Sequence, residues 1–299
     1  MDKQVSRYAD EAMFRAVPLA YEGDEVRPRV AVVSMTEDPL RVAAAVNAMY
    51  KGQPLVPGMV DRATALAFAK DCQRSKIKAP LEWVQIALLF EGVSRAFTHQ
   101  LVRQRTATYA QESLRFAVKD NARYEVVMPP SIAGLPGDSP ARAIWEQAVA
   151  KVTWSYNALV EHGIPAEDAR GLLPTNIATR VHYRTNLRDL IEHSGLRLCS
   201  QAQHEWKQVW VEIVRAILAY GPEHERWQQR EIVKMFRPIC YQTGKCEFMG
   251  AADRWCIIRD RVEAHHRKGE PPEEWTDINP HEPLHPEAAR RMALCTRTA

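Results

Sequence analysis

Glycine is scarce in this chain, with 13 among 299 residues, and nowhere does it gather into a G-x-G-x-x-G or G-x-x-x-x-G-K pattern. Rossmann and P-loop cradles, which hold phosphate on backbone N–H groups, are therefore unsupported. No apolar run is long enough to span a bilayer. The opening MDKQVSRYADEAMFRA has no apolar core of the signal-peptide kind. The expected compartment is thus the cytoplasm, with no membrane partner. An excess of one charge is also missing: 40 Lys+Arg against 37 Asp+Glu leave +3. No global field draws nucleic acid, so an anion site has to be a local cluster of arginines. The six cysteines, at 72, 199, 240, 246, 256 and 295, are spread too widely for a disulfide framework and read as reduced thiols.

What is present is an ordinary globular composition, 46% hydrophobic and 26% charged. Residues 29–34 (RVAVVS), 83–90 (WVQIALLF), 124–128 and 177–183 read as strands. Helical spacing runs through 40–50, with Asp38 as a plausible cap, then 58–76, 93–102, 140–162, 166–172, 186–197 and 201–220. Residues 105–115, rich in Thr, Ser and Gln, suit a loop. Trp145, Trp154, Trp206 and Trp210 read as core or interface anchors. The expected class is α/β (α+β), a mixed sheet packed with helices. The expected division is an N-terminal extension at 1–27, a catalytic domain at 28–231 and a Cys-, Pro- and His-bearing extension at 232–299. Cys240, Cys246 and Cys256 lack the close pairs of zinc ribbons, so no metal site is expected there.

The chemistry gathers in SRAFTHQLVRQRTATYAQESLRF, residues 94–116. Arg103, Arg105 and Arg115 flank a polar stretch with Gln111 and Ser113. Guanidinium forks pair with phosphate oxygens, although cations after a helix also suit its dipole. Arg103-Gln104-Arg105, seven residues and Ser113 resemble the Arg-His-Arg…Ser signature of flavin-dependent thymidylate synthases, the ThyX family. Ala79-Pro80-Leu81-Glu82 is similar to that family's Thr-Pro-Phe-Glu segment. A second block, with Arg170, Leu173-Pro174, Thr179, Asn186, Arg188, Leu196-Arg197, Ala202-Gln203 and Glu205, falls in register with the family's later pattern. The resemblance covers about residues 28–225.

That resemblance implies methylation of uracil C5 in dUMP, giving dTMP. The carbon donor would be methylenetetrahydrofolate, and the hydride would come from reduced FAD recharged by NADPH. The assembly would be a homotetramer with shared flavin sites. Arg197 would be catalytic, stabilising electron-rich uracil. Gln100, Arg103, Gln111, Ser113, Arg115, Arg170 and Arg197 would bind the nucleotide. Ala79, Glu82, Arg103, Gln104, Arg105, Asn186, Arg188 and Glu192 would bind FAD. The chain departs from the pattern at Gln104 for the signature His, at Ala79 for Thr, at Phe116 for Tyr, and at Glu192 with His193 beside it. Gln104→His is expected to be tolerated. Two alternatives stay open: UMP as substrate, and a nucleic-acid module built on Arg103, Arg105, Arg115 and Tyr109.

Overall fold

A ten-residue strand sits at the centre of the molecule, its side chains alternating between buried and half-exposed. The computed structural model describes residues 26–75, 78–119, 125–243 and 246. The strands are β1 (Arg29–Met35), β2 (Gln85–Ser94), β3 (Thr108–Gln111) and β4 (Ala178–Asn186). They pair in the order β1-β2-β4-β3, antiparallel throughout. Ile86, Leu88 and Phe90 of β2, with Val181 and Tyr183 of β4, point to one face, as the two-residue period of strands requires. Helix α8 (His204–Ala219) contributes Trp206, Val209, Trp210, Ile213, Val214 and Ile217 to the same core. Their i, i+3, i+4, i+7 spacing is what makes one helical stripe apolar. The expected α+β class is what forms.

Around this face pack α1 (Pro39–Met49), α2 (Arg62–Arg74), α7 (Leu187–Arg197) and α9 (Trp227–Val233). The long α5 (Pro140–Glu161) closes a second, smaller core through Val149 and Tyr156, with α4 (Pro130–Ala133) and α6 (Ala166–Ala169) beside it. Helix α3 (Arg95–Leu101) leaves the end of β2, and α10 (Ile239–Thr243) lies against α7. Gly195 makes that last approach close, since a Cβ there would meet Gln242 Nε2 at 3.0 Å. Ile232, Met235 and Phe236 belong to the main core, so the packed body runs on beyond position 231. No helix of the described residues is long and apolar enough to cross a membrane.

Several elements differ from the expectation. Residues 105–115 are not all loop: β3 adds an edge strand, paired Thr108–Arg184 to Gln111–Val181. Trp83 lies in a short 3₁₀ turn and is 65% exposed, so β2 starts later and runs longer than 83–90. Ser94 accounts for the delayed start of α3: its backbone is extended and its side chain accepts from Phe97 N–H, the N-cap geometry. Gly92, at φ 65°, carries the irregularity between Phe90 and Val93, where an added Cβ would meet Arg27 O at 2.4 Å. The expected strand at 124–128 reduces to one bridge, Val126 with Ile177; Tyr124 lies outside the described residues. Asp38 does precede α1, but in the left-handed region and without a cap bond. Its carboxylate instead accepts from Arg41 (3.1 Å) and Gln228 (3.0 Å). Trp206 and Trp210 are buried, whereas Trp154 is 62% exposed. Cys240 is buried and Cys246 partly so, while Cys256 and Cys295 lie outside the described residues.

Candidate active site

Two capped helices and the start of a third bring the main polar cluster together. Ser94 Oγ and N–H both donate to the Glu205 carboxylate, at 2.6 and 2.7 Å, so the start of α3 is tied to the first turn of α8. Burial pushes the Glu205 carboxyl up while these two donors pull it back. Asn186 caps α7, its Oδ1 accepting from Asp189 N–H at 2.9 Å. Along α7, residues 188 and 192 share one face and 193 and 197 another, four apart in each case.

Arg197, in the last turn of α7, is held at four points. Nη1 donates to Gln100 Oε1 at 3.0 Å and Nη2 to the Gln100 carbonyl at 3.2 Å. Nε donates to His193 Nε2 at 3.0 Å, and the guanidinium lies over the Trp206 ring, 4.6 Å from its centroid. Burial and then the charge of Arg103 bring its pKa down from the ordinary arginine value, yet a guanidinium keeps its proton in proteins. Gln100 is itself locked: its Oε1 also accepts from Trp206 Nε1 (3.0 Å), and its Nε2 donates to Gln203 Oε1 (2.8 Å). Gln104 Oε1 accepts from Tyr183 OH at 2.7 Å and meets His193 Nδ1. The Tyr109 hydroxyl sits 2.8 Å from the Leu101 carbonyl and 2.7 Å from that of Gln104, which fixes the turn after α3. Burial raises the Tyr109 pKa to about 12, so it stays a neutral donor.

Burial, and then Arg197, push His193 from 6.5 to about 3; burial also lowers His204. A histidine whose folded pKa lies below its unfolded value stabilises the fold above the unfolded pKa. That contribution is lost as pH falls through the window between them. The thermal midpoint should therefore drop between pH 6.5 and 5, as stability falls by up to about 1.4 kcal/mol per pH unit for the His193 proton. Thermal melts in matched buffers check this; a midpoint that holds or rises over that interval contradicts it.

A second cluster is cationic. Arg115 Nε donates to Glu167 Oε2 (2.8 Å), and Arg170 Nε to the Glu167 carbonyl (3.0 Å). Ser113 Oγ accepts from Arg115 N–H at 3.3 Å. Gln111 Nε2 donates to Thr98 Oγ1 (3.0 Å) and Thr179 Oγ1 (3.4 Å). Arg95 belongs with this group and was not singled out in the sequence. Its Nη1 is buried and has no hydrogen-bond partner among the described residues. Burial, then the nearby charge of Arg170, lower its pKa. An orphaned buried N–H beside a second guanidinium is a costly arrangement that an anion would relieve. Its one sequence signal was its place directly after the capping serine of the SRAFTHQLV block.

The remaining residues lie elsewhere. Arg188 is paired twice, with Glu82 at 2.5 Å and Glu192 at 2.9 Å, and Ala79 opens the 3₁₀ turn that carries Glu82. These pairs are largely exposed, so each contributes little to stability. Arg103 and Arg105 are exposed; Arg103 N–H donates to the Gln100 carbonyl at 3.3 Å, and neither guanidinium has a side-chain hydrogen bond or ion pair among the described residues. Among the described residues, no hydrogen bond or ion pair links the Arg197 cluster, the Arg115–Arg170 cluster and the Arg188 triad to one another. The donor set is guanidinium-rich, which fits a nucleotide phosphate and the pyrophosphate of a dinucleotide. Among the described residues no group of three or more His, Cys, Asp or Glu could hold a metal ion.

A family model described as thymidylate synthase complementing protein matches residues 31–223. The flavin-dependent thymidylate synthase of Geobacter sulfurreducens is 32% identical over 197 residues, covering 65% of this chain and 84% of that protein. The enzyme of the same name from Pyrococcus abyssi is 34% identical over 185 residues, covering 60% and 72%. A crystal structure of thymidylate synthase X from Helicobacter pylori, described as with FAD and dUMP, superposes with a TM-score of 0.50. It is 18% identical and covers 69% of this chain and 99% of that one, which bears on the fold. On the match to the family model and the extent of these relatives, the chain belongs to the flavin-dependent thymidylate synthase family.

Proposed function

We propose that this chain methylates C5 of dUMP to give dTMP, taking the carbon from methylenetetrahydrofolate and the hydride from reduced FAD recharged by NADPH. The observation that carries this reading is the half-buried Arg197, pinned by Gln100, His193 and Trp206. A guanidinium cannot serve as a base at neutral pH, but it is suited to hold negative charge on a bound ring. Stabilising uracil with N3 deprotonated makes C5 electron-rich enough to attack the one-carbon unit. Four contacts fix the arginine beforehand, so little reorganisation is needed when that charge appears.

Arg95, Arg115 and Arg170, with Ser113 and Gln111, would take the nucleotide phosphate, and Gln100 would lie against the base. Arg103, Arg105, Asn186 and Arg188, with Ala79, Glu82 and Glu192, would hold FAD, while the Gln104 amide is engaged by Tyr183, His193, Thr185 and the Asp189 carbonyl. FAD, when bound and reduced, supplies the hydride that completes the methyl group. A homotetramer would let the sites take residues from more than one subunit. The outer face of the sheet, with Val33 exposed, and the 81% exposed Phe116 offer apolar surface for such contacts. The catalytic domain would comprise 28–231 with the packed segment to Thr243, flanked by extensions, and would work in the cytoplasm.

The test is flavin binding and its coupling to the nucleotide. Purified protein reconstituted with FAD should show a flavin spectrum, and dUMP should accelerate NADPH oxidation. Protein that retains no flavin under these conditions would overturn the reading.

A further inference from the structure

We propose that His193 is a positioning residue for the reaction, the middle of a relay that runs from Arg197 through His193 to Gln104 and anchors the arginine to the sheet. The inference rests on the reading of Arg197 given above. Arg197 Nε can only donate, and it lies 3.0 Å from His193 Nε2. Nε2 must then be the acceptor, so the ring is neutral and carries its proton on Nδ1. Nδ1 faces Gln104 Oε1, which accepts that proton. The same oxygen accepts from Tyr183 OH at 2.7 Å, while Gln104 Nε2 donates to Thr185 Oγ1 (3.4 Å) and the Asp189 carbonyl (3.5 Å). Thr185 and Tyr183 belong to β4, so the relay ends on the central sheet.

The ring has little freedom to leave this position. His193 is 6% exposed and packs against Trp206 and Trp210, with centroids 5.0 and 6.2 Å away. The ionisable groups around it are Arg197 on its own helix, Tyr183 on β4 and, beyond Arg197, Arg103 and Tyr109. No carboxylate forms a hydrogen bond or ion pair with it among the described residues, so nothing rewards protonation. Burial and the Arg197 charge hold it neutral instead.

This accounts for the departure from the family signature. A glutamine amide accepts two hydrogen bonds on one atom and donates two from the other. Gln104 uses all of this capacity inside the chain. A histidine at 104 has at most one acceptor, so it cannot receive both Tyr183 and His193 and still donate to Thr185. Gln104→His, expected from the signature alone to be tolerated, should instead loosen Arg197 and lower turnover. Position 104 here serves the arginine more than the flavin.

The test uses the flavin-loaded enzyme and the variants His193→Phe, Gln104→Leu, the double variant and His193→Gln. His193→Phe keeps the ring packing and removes both bonds. It should lower kcat roughly 10- to 100-fold, as for a misplaced reacting group, with flavin content and KM for dUMP nearly unchanged. Gln104→Leu should do the same, and the double variant should be no worse than either single one. His193→Gln, which can both accept and donate, should recover most of the loss. Wild-type kcat in His193→Phe, additive losses in the double variant, or no recovery in His193→Gln would overturn the relay. ¹⁵N NMR of labelled histidine at pH 6 supplies a reading independent of activity: His193 should be neutral with its proton on Nδ1. A protonated ring or the other tautomer also overturns it. Absence of turnover by the wild-type enzyme, with that tautomer present, would instead overturn the role given to Arg197.

Discussion

Arg197→Ala should lower kcat for dUMP methylation by roughly 10²- to 10³-fold, the usual cost of deleting a preorganised charge at a reacting centre. The guanidinium is the one cation among the described residues held simultaneously by Gln100, His193 and an aromatic face. Its removal leaves Gln100 Oε1 still bonded to Trp206 Nε1, so the floor of the site persists. The thermal midpoint and flavin content should therefore move little. Arg197→Lys should recover only a small part of the activity, because one ammonium cannot reproduce both Gln100 bonds and the His193 bond. Steady-state kinetics with product quantification checks this. Near wild-type kcat in Arg197→Ala would remove the arginine from the chemistry.

Arg95→Met should raise KM for the nucleotide roughly 10- to 100-fold, in line with losing a charge-assisted hydrogen bond to phosphate. It should also leave the ligand-free protein as stable as before, or more so. The two effects have one cause: in the chain alone Arg95 Nη1 is buried without a partner and stands near the charge of Arg170. Methionine covers much of the same volume without an orphaned donor or a like charge. Binding strength and ligand-free stability thus oppose each other at this residue. Thermal melts with and without dUMP separate them: the melting gain from dUMP should shrink in the variant. An unchanged KM, or a clear loss of ligand-free stability, would mean that Arg95 is structural.

What could be read from the amino-acid order alone was what is local. Helix α8 announces itself through Trp206, Val209, Trp210, Ile213 and Ile217 at helical spacing. The arginines of the signature block were visible because their spacing is a property of the chain. The edge strand β3 was not, since four residues with a half-exposed pattern look like loop until β4 pairs with them. Trp83 read as the start of a buried strand because its neighbours are apolar, but it ends the 3₁₀ turn Ala79–Trp83, with Pro80 in its first positions, and the indole is exposed. The importance of Arg95 and His193 arises from tertiary burial. Arg95 matters through an N–H left without a partner, and His193 through bonds to Arg197 and Gln104, from four to 89 positions away. No periodicity in sequence encodes those contacts. Arg188, expected near the flavin, proves to be engaged by Glu82 and Glu192, a pairing hidden in sequence by the 106 positions between Glu82 and Arg188.

The most direct measurement is product formation by the FAD-loaded enzyme supplied with methylenetetrahydrofolate and NADPH, with dUMP and UMP in parallel reactions. The account predicts that dUMP is converted to dTMP with one NADPH oxidised per product, and that UMP is a markedly poorer substrate. Failure to form dTMP by protein that has bound FAD, or preferential methylation of UMP, would contradict it.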